Sequence, residues 1–214
     1  MQSDNTYYLK KLISQGENSQ LDFKYLISDS KKIAKTISAF ANTKGGILLL
    51  GVKDNGSIKG VKSEEEIYMI EAAISLYCKP KVEYFFRNLI SNNKIVVEVT
   101  INVAYKKPIY ALDNNNNWIA YYRLNDKNII LPKVIKKIWE LDKRQIPLTI
   151  KYTKLEKWLL TFLSKKEFIT ISQLAELTNI TYKEAEECLA KLSHAKIIGL
   201  NIILISFLIL FKMN

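Results

Sequence analysis

One histidine, His194, occurs in the 214 residues. That scarcity excludes paired-histidine ribonuclease chemistry and Cys–His nucleophilic pairs. Cysteine is nearly as rare: Cys78 and Cys188 stand far apart and form no CxxC, which excludes zinc fingers. Both read as reduced core thiols of a cytoplasmic protein. His194 falls near the end of a predicted helix, a place for a surface or C-terminal helix residue rather than a catalyst. The amino-terminal MQSDNTYYLKK lacks the apolar region of a signal peptide. Acids are short as well, 21 Asp+Glu against 32 Lys+Arg, for a net charge of +11. Such an excess favours an anionic partner, nucleic acid being the commonest, with a merely Lys-rich surface as the plain alternative. A composition of 48% apolar and 25% charged residues is that of an ordinary globular chain. Its length suits one or two domains.

What is present is organised around Ser38–Gly51, SAFANTKGGILLLG. Residues 5–15 suit a short helix ended by Gly16. Leu21 and Phe23 alternate with Asp22 and Lys24, which predicts a short strand with the two charged residues on one face. Glu17, just before it, can reach the same face. Ile33, Ala34, Ile37, Phe40 and Ala41 recur at helical spacing, so Ser30–Asn42 is a predicted helix with Ser28 or Ser30 as its N-cap. Gly45-Gly46 stops it, and the apolar Ile47–Leu50 follows as a buried central strand. Asp54-Asn-Gly56 makes a hairpin-type turn. A phosphate-cradling loop needs the order strand, glycine loop, helix. Here the order is helix, glycine, strand, so Lys44-Gly45-Gly46 is no P-loop.

Further on, residues 63–77 form a predicted helix, and 82–89, 95–103, 109–111 and 118–124 predicted strands. Residues 132–142 add a helix that completes an α+β domain. Residues 145–150, with Pro147, read as a linker. Beyond it, helices at 155–163, from Ser172, and from Thr181 to Ala195 give a helix-turn-helix pattern. The third helix begins TYKEAEE, acidic for a DNA reader, so dimerisation or packing stands beside DNA contact as its role. The apolar tail Ile197–Phe211 would span ~22 Å as a helix, short of a ~30 Å bilayer core. A membrane anchor is thus a weak reading, and wing-like strands or a cut or altered C-terminus fit at least as well.

The block Glu17-x4-Asp22-Phe-Lys24 followed by SAFANTKGGILLLGVKDNGSIKGV resembles the AlbA-like domain of the Schlafen family and its bacterial relatives. Lys107-Pro108-Ile109 and Ala120-Tyr-Tyr-Arg123 resemble that family's later strands, so the resemblance covers roughly residues 10–142. It implies a DNA-binding or transcription-regulating protein, in which a winged helix at residues 152–200 often follows. It also implies an alternative, because some Schlafen proteins are endoribonucleases that cut structured RNA at a three-carboxylate metal site. The matching positions here are Glu17, Asp22 and Asp54, with Lys24 beside them. Clustered carboxylates without histidine suit Mg²⁺ or Mn²⁺. Asp22 stands where the family more often has Glu, and Lys53 replaces an acid next to Asp54. Without a metal, Asp54 is a turn-opening residue, and Glu17 and Asp22 are salt-bridge partners for Lys24 and Lys44.

The expectation is therefore an α+β AlbA-like domain at 1–144, a linker at 145–151 and a winged helix-turn-helix domain at 152–214. A cytoplasmic, homo-oligomeric nucleic-acid-binding regulator is expected, DNA being favoured over RNA and no membrane involved. Lys10, Lys11, Lys44, Lys106, Lys107 and Arg123 are the candidate phosphate contacts; Trp118 or Tyr121 is a candidate stacking residue, against the plainer reading of both rings as ordinary strand packing. Binding requires no cofactor; the nuclease alternative requires Mg²⁺ or Mn²⁺ at Glu17, Asp22 and Asp54.

Overall fold

A computed structural model of the chain describes residues 5–61, 63–143, 152–203 and 208–214. The chain divides into two compact units, Met1–Leu131 and Pro132–Asn214. The expected linker at 145–151 lies outside the described residues.

The first unit is built on α2 (Ser30–Asn42), whose buried residues cover nearly all of its last three turns. Asp29 caps it, its side chain accepting from the backbone N–H groups of Lys31 and Lys32. The cap is thus the acid between the two serines, where a carboxylate also suits the positive end of the helix. Gly45 closes the helix at φ +71° with its N–H bonded to Phe40 O at 2.9 Å. A Cβ on Gly46 would lie 2.7 Å from the Phe40 ring, so the strand starts there only because that residue is glycine.

Around α2 lie two four-stranded sheets. The first runs β1 (Leu21–Lys24), β2 (Gly46–Leu50), β5 (Lys94–Ile101), β4 (Tyr84–Ser91), with β1 and β2 parallel and the others antiparallel. The second runs β3 (Cys78–Lys79), β6 (Tyr110–Leu112), β7 (Trp118–Leu124), β8 (Lys127–Ile130). Alternation divides the first sheet between two cores. Leu48, Leu50, Val97, Val99 and Ile101 join Ile33, Ile37 and Phe40 of α2, Ile70 and Ile74 of α3 (Glu65–Ser75), and Ala111 and Tyr121 of the second sheet. Leu21, Phe23, Leu49 and Val96 face the other way and pack on Leu9 of α1 (Thr6–Ile13).

Polar side chains of α2 fasten it to the second sheet. Ser38 Oγ donates to Ile109 O at 2.8 Å and accepts from Tyr121 N–H at 3.1 Å. Asn42 Nδ2 donates to Ile109 O and Tyr121 O, both at 2.8 Å, while its Oδ1 accepts from Ile109 N–H at 2.7 Å. Thr43 Oγ1 accepts from Arg123 N–H at 3.0 Å. Ser38 and Asn42, one helical turn apart, are thus the buried partners of backbone groups that helix packing would otherwise strand. The SAFANT motif is a clamp.

The second unit contains α4 (Lys133–Lys143), α5 (Lys154–Leu163), β9 (Ile169–Thr170), α6 (Ile171–Thr178), α7 (Tyr182–His194), β10 (Ile198–Ile203) and β11 (Leu208–Met213). Thr153, Thr170 and Thr181 cap α5, α6 and α7 in capping boxes with Glu156, Gln173 and Glu184. Asn179, at φ +51° and ψ +48°, turns α6 into α7. The described parts of the apolar tail form strands of the wing-like kind: β10 and β11 pair antiparallel, and β11 also pairs with β9. Among the described residues no helix is long and apolar enough to cross a membrane.

Helix α4 was expected in the first domain. It falls with the second unit, where Lys137 Nζ lies 3.5 Å from Glu186 and 3.4 Å from Glu187 on α7, and Asp142 lies 2.5 Å from His194. The chain's single histidine thus sits at a helix end, its Nδ1 beside the Asp142 carboxylate. Burial pushes both Cys78 and Cys188 up to about 12, which keeps them as inert thiols.

Asn42→Ala leaves Ile109 N–H and the carbonyls of Ile109 and Tyr121 with fewer partners or none, at roughly 1–3 kcal/mol for each stranded group. Urea unfolding of the variant is expected to show a loss of about 3 kcal/mol or more, while Asn114→Ala on the exposed turn changes stability by less than ~0.5 kcal/mol.

Candidate functional site

β1 carries the centre of the candidate site. Its alternation turns Leu21 and Phe23 into the α1 core and leaves Asp22 and Lys24 on the opposite face. Asp22 is 4% exposed. Its Oδ1 accepts from Arg123 Nη2 at 2.9 Å, and its Oδ2 lies 2.5 Å from Lys24 Nζ, an ion pair without hydrogen-bond alignment. Lys24 Nζ also donates to Phe23 O at 2.8 Å and stands 3.9 Å from Glu17 Oε1. Glu17 Oε1 in turn accepts from the Phe23 N–H at 2.8 Å. Burial raises the Glu17 carboxyl above the ordinary glutamate range; the Phe23 N–H draws it back, and the neighbouring Asp22 carboxylate adds to the rise.

Arg123 is 2% exposed. Nε donates to Asn18 O at 3.2 Å, Nη1 to Asn128 Oδ1 at 2.9 Å, and Nη2 to Leu21 O at 3.4 Å as well as to Asp22. Asn128 Nδ2 passes the network on to Thr36 Oγ1 at 2.8 Å. The guanidinium lies 5.0 Å from the centre of the Phe40 ring. Arg123 was expected on a phosphate-binding surface. It is instead a buried tie between β7, β8, β1 and the loop before β1.

Asp54 does not join these groups. β2 ends opposite the end of β1, with Leu50 paired to Lys24, and the chain then makes a turn closed by the Gly56 N–H to Lys53 O bond. Asp54 is exposed on that turn. Among the described residues no group of three or more His, Cys, Asp or Glu side chains is placed to hold a metal ion. Both Asp22 oxygens already face cations, and Glu17 binds backbone. The residues present do not fit the divalent metal that the three-carboxylate expectation required.

The candidate phosphate contacts divide by exposure. Lys10 and Lys11, in the last turn of α1, are exposed, as are Lys44 and Lys106. Lys107 is half-buried, with Nζ 3.4 Å from Thr43 O, and burial lowers its pKa. Tyr121 is 7% exposed and belongs to the α2 core, so it offers no ring to a base. Trp118 is 36% exposed, and Lys79 Nζ lies 3.7 Å from its ring centre.

A second buried carboxylate went unnoticed in the sequence. Glu98 accepts from Arg87 Nη2 at 3.0 and 2.9 Å and from Tyr8 OH at 2.9 Å. Arg87 and Glu98 are register partners on β4 and β5, so aligning the two predicted strands through their turn would have revealed the pair. It fastens α1 to the first sheet.

The family model for Schlafen, AlbA_2 matches residues 17–132, just over half of the chain. The match ends where the first unit ends, and the mixed α+β architecture is consistent with an AlbA-like domain. No curated protein matches the chain. Among solved structures, the DIP2311 protein from Corynebacterium diphtheriae is similar with a TM-score of 0.44 at 15% identity, over 70% of this chain and 34% of that one. The likeness thus spans about a third of the length of that protein. The N-terminal domain of a Nitrosomonas europaea protein, described as related to the ATP-dependent DNA helicase RecG, is similar with a TM-score of 0.43 at 22% identity. It is covered to 95%, over 61% of this chain.

Arg123→Met removes one partner of a buried ion pair and is expected to cost about 3–5 kcal/mol in chemical unfolding. Lys24→Met, at a side chain 30% exposed, is expected to cost about 1 kcal/mol or less. Equal losses would show that Lys24 balances Asp22 as much as Arg123 does. Because the folded state raises the Glu17 pKa, it binds that proton more tightly than the unfolded chain does. Stability therefore falls as pH rises through the window just above the ordinary glutamate value. Glu17→Gln, which keeps the acceptor for Phe23 N–H, is expected to flatten that fall in melting temperatures taken from acid to neutral pH.

Proposed function

The chain belongs to the Schlafen AlbA_2 family, and from that premise we propose that it is a nucleic-acid-binding protein that grips phosphates through lysines of its N-terminal unit. The observation that carries this reading is where the positive charge sits. Lys10, Lys11, Lys44 and Lys106 are exposed, and none takes part in an ion pair among the described residues. In a chain of net charge +11, these four charges are therefore open to counter-ions or phosphates rather than held in internal pairs.

The narrower reading is a DNA-binding transcriptional regulator acting in the cytoplasm as a homo-oligomer. The helix, strand, helix, helix, strand, strand order of α5 to β11 supports it, being that of a winged helix. The surface of α7, in the recognition position, does not favour base reading. Ala185, Glu186, Cys188, Leu189, Ala190 and Leu192 are buried, and Glu186 and Glu187 face Lys137 of α4. Tyr182, Lys183, Glu184 and Lys191 remain at the surface. We assign the C-terminal unit to dimerisation or placement, and the phosphate contacts to the N-terminal one. Metal-dependent cleavage through Glu17, Asp22 and Asp54 finds no support in their geometry.

Fluorescence anisotropy with a labelled duplex tests the reading. Four phosphate contacts predict a fall in affinity of roughly 100-fold between about 50 and 200 mM salt, and a steeply negative log–log slope. Replacing Lys10, Lys11, Lys44 and Lys106 together with Ala is expected to flatten that slope and weaken binding to every sequence alike. Affinity that stays level across the same salt range overturns the proposal.

A further inference from the structure

The second sheet has two unlike faces. Cys78, Ala111, Ile119 and Tyr121 point to α2 and belong to its core. Successive residues of a strand point to opposite faces, and antiparallel partners share one. The registers Lys79↔Tyr110, Leu112↔Trp118, Tyr110↔Ala120, Tyr122↔Ile129 and Leu124↔Lys127 therefore place Lys79, Tyr110, Trp118, Tyr122 and Lys127 together on the face turned away from α2. Three aromatic rings surround Ala120, the smallest side chain there: Trp118 and Tyr122 along β7, and Tyr110 across the ladder. Trp118 is exposed and the two tyrosines half-buried. The sheet order β3-β6-β7-β8 sets Lys79 and Lys127, both exposed, on its two edge strands.

Rings at the centre and ammonium groups at both edges suit a chain of alternating bases and phosphates. We propose that this face binds single-stranded nucleic acid, with a base stacked on Trp118 and phosphates held by Lys79 and Lys127. The inference rests on the nucleic-acid-binding reading above and adds the surface and the form of the ligand. A duplex already stacks its bases on one another and has none to lay on an indole, whereas a single strand does. In the free protein Lys79 Nζ covers the Trp118 ring at 3.7 Å. An exposed cation–π contact is weaker than the stacking of a base on an aromatic ring, so the exchange favours the complex and frees the ammonium for a phosphate.

The test uses the full chain with a labelled oligouridine of about a dozen nucleotides and a duplex of similar length. Trp118→Ala is expected to weaken single-strand binding roughly tenfold or more, and Trp118→Tyr to stay within about threefold of the wild type, since a ring is kept. Both variants keep the duplex affinity of the wild type. Indole emission falls on adding the single strand, and that fall disappears in Trp118→Tyr. Single-strand affinity indifferent to Trp118→Ala, or lost equally in the Ala and Tyr variants, overturns the stacking surface and leaves the broader reading standing. A wild-type chain that binds neither oligonucleotide overturns both.

Discussion

The clamp formed by Ser38 and Asn42 is the constraint on which the N-terminal unit depends. A helix buried between two sheets presents polar backbone edges of the neighbouring chain to a dry interior, where each unpaired group costs free energy. Ile109, in the entry to β6, and Tyr121, in β7, are the residues whose backbone would be left so. Two side chains on one helical stripe satisfy them all. Such bonds act at fixed positions, so they set register as well as closeness. Because a one-residue slip turns every side chain of a strand to the other face, the clamp also decides that Tyr121 goes inward and Trp118 outward.

A second fixed point follows from the first. With β7 held by Ser38, Asn42 and Thr43, Arg123 enters the gap between the sheets, and its donors meet Asn18, Leu21, Asp22 and Asn128. A buried guanidinium needs a buried carboxylate, and Asp22 is that carboxylate. Its engagement with Arg123 and Lys24 makes the acidic motif of β1 a structural device in this chain. The two acids nearest one another, Glu17 and Asp22, share two cations and one backbone N–H. They do not present a row of free oxygens.

Much of the fold was legible. The boundaries of α2 and β7 were read correctly from apolar periodicity and turn residues, and the glycine stop was recognised because its chemistry is local. Wing-like strands were one of the readings left open for the apolar tail, and β10 and β11 bear that one out. Local pattern gives no access to what depends on distant partners. The strands β3 and β8 are short, and they exist because β6 and β7 offer them edges. α4 carries the same apolar stripe whichever core it serves, and only the pairs with Glu186, Glu187 and His194 show that the core is that of the second unit. Arg123 looked like a surface cation because arginine is usually exposed. Its burial follows from inward alternation on β7, a face its neighbour two residues earlier, the core residue Tyr121, already marked. The three acids were placed together by motif order, yet order fixes only the strands. Asp54 lies beyond the end of the strand pair, where the turn points it to solvent.

The same alternation that hides Arg123 limits where recognition can occur. One face of the second sheet is fastened to α2 by hydrogen bonds that side-chain change would break, so it cannot vary without loss of the fold. The opposite face takes no part in that clamp. Charge spread over α1 and the ends of α2 attracts any polyanion and discriminates weakly, because a lysine reads phosphate and not base. Discrimination between single-stranded and duplex ligands needs a flat apolar surface that only unpaired bases can cover. In this unit the outward face of the second sheet, with the exposed Trp118, is the surface proposed for that role, and the inward clamp fixes which residues it presents.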